Sequence, residues 1–193
     1  MRQFIFAAVA LFGTLSADMG PQGFKAYPNH YFVETGSFHG GGIRKALEAG
    51  FPVIHSLEIN QAFVDECRRD FAGFPQVHVW RANSGTDLGG IISDIHSPIT
   101  FWLDGHNIFV DPNGGKNSPI MEELEQIKRH EIKTHTILID DRHVMGTAHF
   151  DGITEQQIIK KLLEINPQYT ISFAVGGGSG EYPGNVIVAS VNG

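Results

Sequence analysis

Four acidic residues in this sequence stand where an apolar run of strand length stops: Glu34 after YFV, Glu58 after VIHSL, Asp104 after ITFWL and Asp140 after TILI. The first opens ETGSFHGGG, in which Gly36, Gly40, Gly41 and Gly42 surround Ser37, Phe38 and His39. An acid, a glycine turn, a helix and a second strand ending in an acid make a nucleotide-binding βαβ layout. The glycines let a ligand approach the backbone, the helix start offers free N–H groups, and Glu58 can hold ribose hydroxyls. Two common phosphate-binding variants are missing. After Gly40 and Gly42 the third dinucleotide glycine is replaced by Lys45, and no Gly-Lys-Ser/Thr ends the turn. A carboxylate at position 34 would repel a pyrophosphate but could receive an ammonium group, directly or through water. The expected ligand is a small adenosine-containing molecule bound by Glu34, Gly36, Ser37, Gly40 and Glu58. Alone, the turn could equally be a device for packing a helix against a strand; two acids at consecutive strand ends favour the ligand.

A second group follows the fourth and fifth apolar runs, where FWLDGHN carries Asp104 and His106 and ILIDDRH carries Asp140, Asp141 and His143. In an open α/β sheet the carboxyl ends of the strands form the ligand crevice. Three carboxylates and two imidazoles gathered there repel one another unless they are protonated or bridged by a cation. An oxygen-rich set suits Mg²⁺, Mn²⁺ or Ca²⁺ better than zinc. The alternative is that some of these groups cap helices in the crossover loops. After the third run, Asn83-Ser84-Gly85-Thr86-Asp87 offers Ser84 to an adenine ring, or caps the next helix through Asp87. The other histidines lack ligand spacing and read as structural.

The elements that must position these groups alternate. Strands are expected at His30–Thr35, Val53–Glu58, Val77–Ala82, Ile99–Asp104 and Thr136–Asp140. Helices are expected at Gly42–Ala49, Asn60–Phe71, Asp87–Ile95, Ser118–His130 and Thr154–Ile165. Runs apolar on both faces, alternating with helices, mean a parallel sheet covered on both sides. The chain then changes rhythm. Tyr169–Val175 and Asn185–Val191, joined by a glycine-rich connection, form an antiparallel hairpin. Asn107–Asn117 and Arg142–Gly152 are left to cover the crevice mouth.

At 193 residues the chain makes one domain with a full core. A formal charge of −7 without a Lys/Arg cluster disfavours a nucleic-acid partner. The single cysteine, Cys67, excludes an internal disulfide and reads as a small buried hydrophobe. Met1–Ala17 has one basic residue, an apolar run and small residues, the pattern of a secretory signal peptide cleaved after Ser16 or Ala17. It is short of the roughly 20 apolar residues of a membrane span. The expected organisation is a leader at 1–17 and one domain at 18–193, exported to a periplasm or secreted if the leader is cleaved and cytoplasmic otherwise.

VETGSFHGGG, Glu58 in SLEIN, FWLDGH, ILIDD and the final hairpin together resemble class I S-adenosylmethionine-dependent methyltransferases, over about Tyr31 to Val191. The resemblance implies a Rossmann-like three-layer sandwich with a seven-stranded, mostly parallel sheet in the order 3-2-1-4-5-7-6. The acids on the fourth and fifth strands are similar to those of small metal-dependent O-methyltransferases. That implies S-adenosylmethionine as donor, a divalent cation such as Mg²⁺ on Asp104, Asp140 and Asp141, with Asp104 also a donor-binding and catalytic residue, His106 or His143 as base, and a small-molecule acceptor. Two other readings stay open: an exported metal-dependent hydrolase, and a non-catalytic nucleoside- or sugar-binding protein.

Overall fold

A computed structural model describes residues 23–107, 112–113, 115–176 and 182–191. The expected leader at 1–17 and most of the glycine-rich connection before Tyr182 lie outside the described residues. Strands β1 (Tyr31–Thr35), β2 (Val53–Glu58), β3 (Val77–Arg81), β4 (Ile99–Leu103) and β5 (Thr136–Ile139) are parallel, and β6 (Thr170–Gly176) and β7 (Tyr182–Ser190) form the antiparallel hairpin. The sheet order is 3-2-1-4-5-7-6, as the resemblance implied.

Period-two alternation sends each central strand's apolar residues to opposite layers. Phe32, Ile54, Trp102 and Leu138 meet Ile43 and Ala46 of helix α1 (Gly41–Ala49), Cys67 of α2 (Gln61–Asp70) and Phe71 directly after α2. Val33, Leu57, Phe101, Leu103, Ile137 and Ile139 meet α3 (Ser84–Ile92), α4 (Ile120–Arg129) and α5 (Glu155–Ile165). Burying both faces is what holds the central parallel strands together, whereas β3 at the sheet edge is partly exposed. No helix among the described residues is long and apolar enough to cross a membrane.

Two helix starts differ from expectation by more than one residue. Helix α3 begins at Ser84 rather than Asp87, because the Asn83 side chain accepts the Gly85 N–H at 3.0 Å while Asp87 Oδ2 accepts the Asn83 N–H at 2.9 Å. The cap is therefore Asn83, and Asp87 reaches back to it. Helix α4 begins at Ile120, whose N–H reaches the Ser118 hydroxyl at 3.4 Å. Its start is also held by Asp151, whose carboxylate accepts the Asn117 N–H, the Asn117 side-chain amide and the Ser118 N–H at 2.9–3.1 Å. A carboxylate there offsets the positive end of the helix dipole.

Candidate active site

The carboxyl ends of β1, β2, β4 and β5 converge, and the turn from β1 into α1 is the tightest feature there. Gly36 has φ +84, and a Cβ on it would lie 2.3 Å from the Asp104 carbonyl oxygen. Gly40, with φ +75 before α1, lies against the Phe71 ring, where a Cβ would come within 2.5 Å. A Cβ on Gly42 would fall 1.7 Å from Glu34 Oε1. Each of these glycines is thus required by the protein's own packing as well as by any ligand. The middle of the turn holds Phe38 in the left-handed region at φ 45, uncommon for a bulky residue. Its N–H donates to Glu58 Oε2 at 2.9 Å, and Asn60 N–H donates to Glu58 Oε1 at 2.7 Å. Glu58 therefore ties β2 to the turn with one acceptor position on each oxygen, and an ionised carboxylate has about four.

Glu34 does not open into the crevice. It is 1 % exposed and accepts the Ser56 hydroxyl at 2.5 Å, while Ser56 lies 2.5 Å from the buried Ser37 hydroxyl. Burial pushes its carboxyl up to about 8, with the Glu58 charge adding to the rise and the Ser56 hydrogen bond opposing it. His39 turns outward and pairs with Glu66 on α2 at 2.9 Å.

On the other side, Asp104, His106 and Asp141 come together. His106 Nδ1 is 3.5 Å from Asp104 Oδ1, and its Nε2 is 3.2 Å from Asp141 Oδ2. One donor atom from each of the three lies within 4.8 Å of the others. The Phe150 ring packs 5.0 Å from the imidazole. Asp140 is not in that group. Its Oδ1 accepts the Asp141 N–H at 2.8 Å and the Asn185 amide at 3.3 Å, so it orients Asp141, which sits at φ 56. His143 lies beside Asp141 at 3.6 Å, and its Nδ1 is 2.7 Å from Asn185 Oδ1. Because the Asn185 amide nitrogen faces the two aspartates at 3.3 and 3.4 Å, its oxygen faces His143 and takes the Nδ1 proton. The acceptor nitrogen of His143 is then Nε2.

Electrostatics here follow from burial. Asp104 is held well above the usual carboxylate range by burial, then by Asp140 and Asp141. Asp140 is pushed up to about 7 by burial, with Asp141 adding to it. Burial pulls His106 down, against the opposing pull of Asp141.

Two members of this region escaped the sequence reading. Asn185 lies within β7, and the β5–β7 pairing brings it to Asp140. Glu123 is 1 % exposed, and its Oε1 has no hydrogen-bond partner among the described residues. A Cβ on Gly105 would lie 3.0 Å from that oxygen, 3.2 Å from Thr35 Oγ1 and 3.3 Å from Ser84 Oγ. Burial pushes Glu123 up to about 7. Its spacing from Ile120 and Ile127 already put it on the buried stripe of α4, a legible signal. Ser84 thus lies under the turn after β4, at the start of α3. Trp102 of β4 is in the core.

No family model matches the sequence, and no curated protein matches it. The fold does have solved counterparts. It is similar to a Listeria monocytogenes protein provisionally assigned as an S-adenosylmethionine-dependent methyltransferase, at 11 % identity and TM-score 0.56 over 86 % of this chain and 92 % of that one. It is similar to an rRNA methylase, also a provisional assignment, from Clostridium thermocellum, at 9 % identity and TM-score 0.52 over 86 % and 90 %. A provisional caffeoyl-CoA O-methyltransferase from Staphylococcus aureus gives 15 % identity and TM-score 0.51 over 83 % and 75 %. The chain has the class I methyltransferase fold.

Proposed function

We propose that this chain is an S-adenosylmethionine-dependent methyltransferase that acts on an oxygen of a small molecule with the help of a divalent cation. One observation carries the reading. The turn bounded by Glu58 touches the main chain of Asp104 through Gly36, so a nucleoside site and an acid–imidazole group share one wall. Fold alone does not choose an acceptor, since proteins of this architecture include rRNA methylases and O-methyltransferases. The acidic crevice and the charge of −7 favour a small acceptor over an RNA phosphate backbone.

In this reading Glu58 takes the ribose hydroxyls on its remaining lone pairs, and Ile59, 56 % exposed directly after it, offers an apolar face to the adenine. Ser84 stands at the adenine side. The donor supplies an electrophilic methyl group on a sulfonium. The donor set of Asp104, His106 and Asp141 fits a divalent cation, which would lower the pKa of a bound hydroxyl. Asp140 and Asn185 fix Asp141, and Phe150 limits the tilt of His106. His143 Nε2 is the base that takes the acceptor's proton, with its tautomer fixed by Asn185. Holding the acceptor oxygen in line with the methyl group removes the orientational part of the barrier.

Calorimetry of the purified chain with S-adenosylhomocysteine, with and without Mn²⁺ or Mg²⁺, tests this. Micromolar binding that Glu58→Ala weakens at least about tenfold supports the donor site. Metal binding without nucleoside binding would turn the assignment towards a metal-dependent hydrolase. Nucleoside binding without turnover of any offered acceptor would leave a binding protein.

A further inference from the structure

Beneath the glycine turn runs a chain of side chains that methyl transfer itself does not use. Ser37 Oγ, Ser56 Oγ and Glu34 Oε2 follow one another at 2.5 Å spacings, and the three residues are 2 %, 0 % and 1 % exposed. Gly42 closes the far side of the carboxyl. The titratable groups facing Glu34 are Glu58 from β2, Cys67 from α2 and Asp104 from β4; from α1 the contact is the Gly42 backbone.

A hydroxyl both donates and accepts, so this chain has two polarities. With Glu34 ionised, Ser56 donates to it and Ser37 donates to Ser56, leaving the Ser37 lone pairs towards the turn. With Glu34 protonated, its O–H donates to Ser56, Ser56 to Ser37, and Ser37 turns its proton outward. Hydrogen bonds aligned in sequence polarise one another, so the three change together.

We propose that Ser56 and Ser37 are positioning residues of a proton-linked binding device, through which Glu34 releases one proton when a cationic nucleoside occupies the crevice. The proposal rests on the donor reading above. The Glu34 O–H bond breaks as its proton passes to Ser56, Ser56 passes its own to Ser37, and Ser37 passes its own to water. The hydroxyls are regenerated, and the net change is one carboxylate formed and one proton delivered to solvent. Burial keeps Glu34 largely protonated near neutral pH in the ligand-free chain. A fixed positive charge arriving above the turn favours the carboxylate. The sulfonium donor should therefore release more proton than its neutral-sulfur product.

The test is titration calorimetry of the full chain at pH 7 with S-adenosylmethionine and with S-adenosylhomocysteine, each in phosphate and in Tris. These buffers differ widely in protonation enthalpy. The expected result is a buffer-dependent apparent enthalpy corresponding to about one proton per bound S-adenosylmethionine and a smaller release with S-adenosylhomocysteine. In Glu34→Gln the buffer dependence disappears. In Ser56→Ala, which removes the hydrogen bond to the carboxylate, it moves to higher pH. Binding with equal enthalpies in both buffers overturns the proposal and leaves the donor reading intact. A proton release that survives in Glu34→Gln overturns it too. Absence of binding in every buffer overturns the donor reading and removes the ligand on which the proposal depends. If Glu34→Gln does not fold, infrared spectra of the unaltered chain decide. The protonated-carboxyl band should shrink on addition of S-adenosylmethionine, and an unchanged band overturns the proposal.

Discussion

At Gly36 two demands meet, a left-handed backbone and a main-chain approach to Asp104. Gly50 shares the left-handed conformation, at φ +87, but has nothing within 4 Å of where a Cβ would sit. Comparing the two separates strain from contact. Gly50→Ala should destabilise by about 1–2 kcal/mol, the ordinary left-handed penalty. Gly36→Ala should cost clearly more, because the turn carrying Asp104 and His106 must shift. Urea denaturation of both variants checks this, and equal losses would mean that the Asp104 contact is unimportant. Glu58 belongs to the same scale. Since it accepts two backbone N–H groups, Glu58→Ala should lower stability by roughly 1–3 kcal/mol as well as weakening nucleoside binding. Glu58→Gln, which keeps one acceptor oxygen, should recover part of the stability.

Between elements, two buried imidazoles illustrate how a packing role can be told from a chemical one. Ile99 N–H donates to His135 Nδ1, His135 Nε2 faces His130 Nδ1 at 3.1 Å, and His130 Nε2 faces the Ile92 carbonyl at 3.1 Å. One set of tautomers satisfies all three contacts with both rings neutral, tying α3, α4 and β4 together. Burial pulls His135 down to about 3 from about 6.5. The neutral ring therefore contributes stability that is fully present above pH 6.5 and is lost as pH falls from 6.5 towards 3. His135→Gln should lower stability at pH 7.5 and flatten its decline below pH 6.5, measured by denaturation at a series of pH values. An unchanged slope would place the acid-sensitive group elsewhere. The Asp151 contact links the segment after β5 to the start of α4. Asp151→Ala should cost about 1–2 kcal/mol, as for the loss of a helix cap, and speed amide exchange at Asn117 and Ser118. It should also loosen Phe150 against His106, weakening metal binding if the cation assignment holds.

For the molecule as a whole, a ligand that binds only the folded chain must raise its stability by mass action. S-adenosylhomocysteine at one hundred times its dissociation constant should add about 2.7 kcal/mol. The same concentration should add nothing to a Glu58→Ala chain whose affinity has fallen well beyond a hundredfold, and proportionately less for a smaller fall. A thermal shift that is equal in both chains would move the nucleoside away from the β1–β2 crevice. The seven-stranded order places β1 and β4 side by side at the centre, which is why one crevice can hold both the turn after β1 and the acids after β4 and β5.

Apolar periodicity and turn residues are local signals, so the strands, the helices, their alternation and the acids at the strand ends are legible along the chain. The helix starts are less legible: the cap expected at Asp87 is Asn83, because the choice depends on which side chain reaches which N–H. What each acid is available for is set by contacts between distant parts of the chain. Glu34 is closed off by Ser56, 22 residues away, Asp140 is engaged by Asn185, 45 residues away, and Glu123 is brought beneath Gly105 by the packing of α4. Strand register and helix packing join residues far apart in sequence. A carboxylate's charge, accessibility and free lone pairs are properties of those neighbours rather than of its place in the chain.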